Sequence, residues 1–313
     1  MTDRVEQLLD DILAGPAALE RLVAAYDRPR SPVELARAAA TARSARPRFV
    51  FAGLGSSRFA ALLATSDLRG SGQAAWTEYA SSATPTVPAE DLVFIAISAS
   101  GRTAEVVAAA RRHRGRSLVV GITNDPDSAL ADEADHVLPL HAGFEAAGIA
   151  TRTFRATVAV LSLFAGHPVA GLAPAIADFR AAVEDRGRWL PDMADALDGA
   201  DAIDVLADAS ILGLAEQAAL MLREAPRLPA TTYDTGDWLH TGIYLALPGH
   251  RAVLFPGSAA DGEVIATVER RGGRVVRVPA PPAADPLRRA ITQSVMAELL
   301  AAELWQRTSA VQR

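Results

Sequence analysis

The chain has 313 residues, half of them hydrophobic, enough for one large domain or two of about 150 residues. Its net charge of −6 comes without any run of five like charges, which argues against nucleic acid or an anionic membrane as partner. It has no cysteine, and all 31 basic residues are arginine, so disulfides, thiol catalysis, thiolate metal sites and lysine imines are excluded. The opening MTDRVEQLLDDILAG is acidic and amphipathic rather than basic-then-apolar. Residues 4–26 read as helix broken at Gly15-Pro16, and 32–42 as a second helix. From Arg48 short apolar runs alternate with helical patterns: strands at 48–54, 74–80, 91–98, 117–123 and 136–142, with helices at 59–70 and 103–113 and a short one at 127–134. Helical stretches follow at 151–166 and 170–197. A shorter alternation then returns, with strands at 202–208, 230–236, 250–257 and 273–280 and helices at 209–225, 261–271 and 285–307. PAPPAADP (279–286) reads as a loop.

Strands alternating with helices predict parallel sheets with helices on both faces. The chain therefore divides into an N-terminal helical segment (1–45), a first α/β domain (46–197) and a second (198–313). No apolar run reaches about 18 residues, so no membrane span is expected and a cytoplasmic protein is. RRHRGR (111–116) is the densest basic spot and reads as a solvated helix end.

Two turns interrupt this pattern with hydroxyls. The strand 91–98 ends in Ser98-Ala99-Ser100-Gly101-Arg102-Thr103, at the start of a helix. The strand 48–54 ends in Gly55-Ser56-Ser57. In open parallel sheets ligands bind beyond the carboxyl ends of the strands, where helix N-termini offer unpaired N–H groups. Serine and threonine add donors, and glycine lets the backbone approach an anion. The same residues are also ordinary N-caps, so either turn alone is compatible with plain capping. Two such turns in one sheet favour a phosphate monoester. Neither fits the nucleotide P-loop, which needs a lysine, nor the GxGxxG of a dinucleotide site.

With these turns the chain resembles the sugar isomerase (SIS) domain family, in two SIS units like the isomerase half of glucosamine-6-phosphate synthase. The family's Gly-Thr-Ser turn is matched by Gly55-Ser56-Ser57, and its Ser-Gln-Ser-Gly-Glu-Thr by Ser98–Thr103, with Ala99 at the glutamine. The stretch AGFEAAGIATR resembles a family stretch that places Glu145 in the sugar region, with Arg152 at a usual lysine. The resemblance implies that Ser56, Ser57, Ser98, Ser100 and Thr103 hold a sugar phosphate, with Gly55 and Gly101 shaping the turns. Glu224 in LREAP and His240 in GDWLHTG stand sixteen residues apart, as do the family's proton-moving glutamate and ring-opening histidine. That histidine comes from the partner subunit in the family, so a homodimer with shared sites is expected.

The residue types fit these roles. Pro226 should end its helix near Ala225, leaving Glu224 at a helix end where partial burial raises a carboxyl pKa. His240 can pass protons near neutral pH. The remaining histidines, His113, His136, His141, His167 and His250, lack ligand spacing, so no metal and no other cofactor is expected. Gln217 and Met221 stand where the synthase has glutamate and lysine, and its terminal imine-forming lysine has no counterpart. With no glutaminase part either, the resemblance points to stand-alone enzymes that isomerise sugar phosphates, or deaminate or deglycate phosphorylated amino sugars. The expectation is a phosphosugar isomerase or deaminase moving a proton between C1 and C2. The alternative is a non-catalytic phosphosugar sensor, which would not need Glu224 and His240.

Overall fold

The computed structural model describes residues 2–280 and 286–311. Three helices come first: α1 (Thr2–Leu13), α2 (Gly15–Tyr26) and α3 (Pro32–Arg43). Ser31 caps α3 by accepting from Glu34 N at 3.4 Å, and Pro32 supplies a first residue with φ preset for a helix. Next come β1 (Arg48–Gly53), α4 (Ser56–Gly70), β2 (Ala74–Tyr79), β3 (Leu92–Ile97), α5 (Ala104–His113), β4 (Leu118–Thr123), α6 (Ala129–Glu133) and β5 (His136–Pro139). Helices α7 (Arg152–Ala165), α8 (Leu172–Glu184) and α9 (Arg186–Leu197) follow. The later alternation is β6 (Ala202–Ala207), α10 (Leu212–Glu224), β7 (Ala230–Asp234), α11 (Thr235–Trp238), β8 (His250–Phe255), α12 (Asp261–Arg270), β9 (Arg274–Arg277) and α13 (Pro286–Val311).

The expected α/β architecture is present. All pairings are parallel, in a five-stranded sheet ordered β2-β1-β3-β4-β5 and a four-stranded sheet ordered β7-β6-β8-β9. β3 and β4 are buried at every residue. Such strands are covered on both faces, which is why they read as unbroken apolar runs rather than alternating ones. Both sheets have the same layout. The first strand lies inside, the second pairs on one side of it, and the third and fourth continue on the other. The order thus reverses at β1/β3 and again at β6/β8.

Two compact units result. One comprises Ala17–Phe144 and Arg152–Ala173 and holds the first sheet. The other gathers residues 2–16, Glu145–Thr151 and the described residues from Pro174 onward, and holds the second. In the first unit Val50, Phe94, Val106, Ala110, Val119 and Leu130 form a core where α5 and α6 meet the sheet. His113 belongs to that core: its ring stacks on Phe94 at 3.9 Å, and burial pulls its pKa down to about 4. In the second unit α13 packs against α1, α9 and α10.

Some element boundaries differ from expectation. The stretch 170–197 is two helices rather than one, divided at Asp185. α11 and a short 3-10 turn at Gly242–Leu245 follow β7, where no helix was expected, because four-residue elements are too short to show a period. The loop expected at 279–286 falls largely on residues 281–285, outside the described ones.

Candidate functional site

A reversal of strand order leaves two neighbouring carboxyl ends whose connections leave in opposite directions, opening a crevice. At β1/β3 that crevice is flanked by the two hydroxyl turns. After β1, Gly55 takes a left-handed φ of 52° and α4 starts at Ser56, with Ser56 and Ser57 half-buried. After β3 the chain turns through Ser98–Thr103 into α5. Neither helix is capped by a side chain. Thr103 occupies the N-cap position of α5 but directs its hydroxyl elsewhere: its Oγ1 lies 2.9 Å from Ser98 Oγ. Ser100 Oγ stands 3.5 Å from Ser98 Oγ and accepts from Arg102 N at 3.2 Å. Three hydroxyls therefore gather at a helix N-terminus instead of closing it. Plain side-chain capping does not describe these turns.

The second turn is held from behind. Asn124 N donates to Ala99 O at 2.9 Å, Thr123 Oγ1 donates to the same oxygen at 3.3 Å, and Leu130 N donates to Gly101 O at 2.9 Å. Gly101 has φ 65°, and a Cβ there would collide with Ser128 and come within 2.8 Å of Thr123 Oγ1. Only glycine fits. Ser128 Oγ is buried and lacks a partner. The Asn124 side chain accepts from Ala142 N and donates to Gly143 O, both at 2.9 Å, which ties down the loop after β5. Arg102, just before the N-terminus of α5, adds positive charge to the dipole there and pairs with Asp125 at 3.0 Å. Its hydrogen bond holds the Asp125 carboxyl below the usual range.

The other site residues lie in the second unit. Glu145 Oε1 accepts from Thr151 N at 2.7 Å and Thr151 Oγ1 at 3.1 Å, closing its own loop. Glu224 is the last residue of α10. It is open to solvent, yet surrounding atoms crowd its carboxyl: burial raises its pKa, opposed by Arg223 and Arg227. Gln217 and Met221, two turns and one turn earlier, are buried; Gln217 Nε2 donates to Ala150 O at 3.1 Å. His240 is exposed just beyond α11, its N donating to Asp237 O at 2.9 Å. The two residues lie at opposite ends of β7. The five residues of that strand, roughly 16 Å when extended, stand between them along the chain.

The arginines of the basic stretch at 111–116 are exposed, as expected of a solvated helix end, and Arg111 and Arg114 pair with Glu133 at 2.8 and 3.2 Å. Among the described residues, no three His, Cys, Asp or Glu side chains could hold one metal ion, and no helix is long and apolar enough to cross a membrane. Reasoning from sequence missed Thr123 and Asn124, which brace the second turn. TNDPDS (123–128) carried the turn signal, but nothing in it gave the partner.

An α/β protein with two parallel sheets whose strand order reverses within each belongs to the doubly wound class. Residues 43–166 match the SIS domain family, so this stretch of the chain carries a SIS domain. It is 31% identical over 215 residues to a glutamine–fructose-6-phosphate aminotransferase (isomerizing) of Aeropyrum pernix, covering 63% of this chain and 35% of that one. It thus spans about a third of the length of the curated relatives it matches. In fold it is similar to the C-terminal domain of glucosamine-fructose-6-phosphate aminotransferase from Francisella tularensis (TM-score 0.80, 18% identity, 97% of this chain and 96% of that one). It is also similar to tagatose-6-phosphate ketose/aldose isomerase from Escherichia coli (TM-score 0.78, 17% identity, 96% and 92%).

Proposed function

We propose that this chain is a phosphosugar isomerase or deaminase. Ser56, Ser57, Ser98, Ser100 and Thr103 hold the phosphate of a sugar or amino sugar. Glu224 moves a proton between C1 and C2 through an enediol or enolamine, and His240 opens the ring. The observation that carries the reading is the set of hydroxyls gathered at the N-terminus of α5 with the helix left uncapped. A phosphate dianion there accepts charge-assisted hydrogen bonds and meets the positive end of the dipole.

The chemistry is compatible with a chain that has no lysine. Proton transfer next to a carbonyl needs a base within reach of the carbon and a group to manage the oxygens, not a protein imine. The raised carboxyl of Glu224 suits a base that must both take and return a proton. The separation of Glu224 and His240 along β7 supports a homodimer in which each site takes its glutamate from one copy and its histidine from the other.

A panel of phosphorylated sugars and amino sugars, read by melting shift and by turnover, tests this. Wild type should respond in both readouts to at least one compound, and Glu224→Gln should keep the shift and lose the turnover. Turnover near the wild-type level in Glu224→Gln removes Glu224 from the mechanism. A shift without turnover in wild type makes the protein a sensor.

A further inference from the structure

In the second unit three buried polar side chains from three elements share one oxygen. Asp204 lies mid-strand in β6, opposite Ala252 of β8. Leu206, two residues on, faces the same side and packs with Trp238, Ala252 and Leu254. Asp204 is therefore a carboxylate set into an apolar face. Its Oδ2 accepts from Trp238 Nε1 at 2.7 Å and bonds His250 Nε2 at 2.8 Å. All three side chains are buried, and the indole and imidazole rings stack at 6.2 Å. The Asp204 carboxylate thus gathers both rings on one oxygen, and His250 Nδ1 is buried without a partner.

The cluster anchors the segment that carries His240. Trp238 ends α11, and His240 follows two residues later in the turn closed by Thr241 N on Asp237 O at 3.1 Å. Gly242 passes so close to the indole that a Cβ there would collide with it. The chain from Thr235 to Gly242 is thus folded around one ring, and the polar atom of that ring is fixed by Asp204. α11 has only four residues; Asp234 at the end of β7 caps its start, accepting from Gly236 N and Asp237 N at 3.0 Å, and the indole attaches its far end to the sheet.

We propose that Asp204 is a positioning residue for His240. Through Trp238 it holds the turn that presents the imidazole, while His250 gives the same oxygen its second partner. This rests on the role given to His240 above. Asp204 does not touch substrate. Its contribution is to spare His240 a search among loop conformations in each turnover.

Trp238→Phe keeps the ring and removes the donor; Asp204→Asn keeps the volume and one acceptor oxygen. Hydrogen exchange of the amides in 235–245 should quicken about tenfold in Trp238→Phe, the worth of one hydrogen bond to a charged group, and less in Asp204→Asn, with β6 and β8 unchanged. On whichever phosphosugar the wild type turns over, kcat of Trp238→Phe should fall about tenfold with KM within about twofold. In a His240→Ala background Trp238→Phe should cost nothing further, which a merely structural tether does not predict. Unchanged exchange at 235–245 in both variants overturns the proposal, whatever the enzyme's substrate. So does a Trp238→Phe loss as large with alanine at position 240 as with histidine. If His240→Ala turns over at the wild-type rate, the role given to His240 falls and this proposal with it, while faster exchange would still establish the tether.

Discussion

Ser98 is the centre of the proposed anion site, because it is buried and both other hydroxyls of the turn lie around its Oγ. Ser98→Ala should leave Thr103 Oγ1 without its partner and weaken phosphosugar affinity by about 1–3 kcal/mol, as for hydrogen bonds to a charged group. Isothermal titration measures this; unchanged affinity would place the phosphate elsewhere. Ser98, Ser100, Gly101 and Thr103 were legible in the sequence because they form one contiguous stretch at a strand–helix junction. Glu224 and His240 were legible only through their resemblance to a family spacing, since a glutamate at a helix end and a histidine in a loop are individually ordinary. Asp204, Trp238 and His250 gave no local signal at all. They are 34 and 46 residues apart, and only the pairing of β6 with β8 and the packing of α11 bring them to one oxygen.

The second hydroxyl turn works as an element because its backbone is clamped from β4 and α6. Gly101→Ala should break it twice over, by forcing a left-handed φ on a residue with a Cβ and by driving that Cβ into Ser128. The expected cost is about 1–3 kcal/mol of stability with loss of phosphosugar binding, read as a lower melting temperature and no ligand shift. A stable Gly101→Ala protein that still binds would mean that the turn is not rigid. At this scale the sequence was a good guide. Long elements show their period, and the buried strands announced themselves as apolar runs. The break between α8 and α9, and α11 itself, went unread because helical composition continues through the first and four residues are too few for the second. The pairing that braces the turn, Asn124 on Ala99, depends on the order of strands, which composition does not encode.

On the scale of the whole molecule, two parallel sheets share one layout without a visible sequence repeat, and the residues proposed for chemistry lie at opposite ends of β7. A site shared between copies predicts complementation. Glu224→Gln chains, inactive alone, and His240→Ala chains, strongly impaired alone, should recover about a quarter of wild-type activity when mixed and reassembled, since half the dimers are mixed and each holds one intact site. No recovery in verified mixed dimers would place both groups in the same copy's site. The α/β class and the doubling were predictable from alternation alone. The separation of the two catalytic candidates was not, because it follows from where β7 enters and leaves its sheet. In the proposed reaction this protein removes a proton from the carbon skeleton of a phosphorylated sugar and returns it. Incubation in D2O with each phosphosugar that shifts the melting temperature, followed by proton NMR of the C1 and C2 positions, tests it most directly. Wild type should exchange carbon-bound hydrogen for deuterium in at least one of them and Glu224→Gln in none. A tightly bound phosphosugar whose carbon-bound hydrogens stay in place with wild type, or exchange equally well with Glu224→Gln, would contradict it.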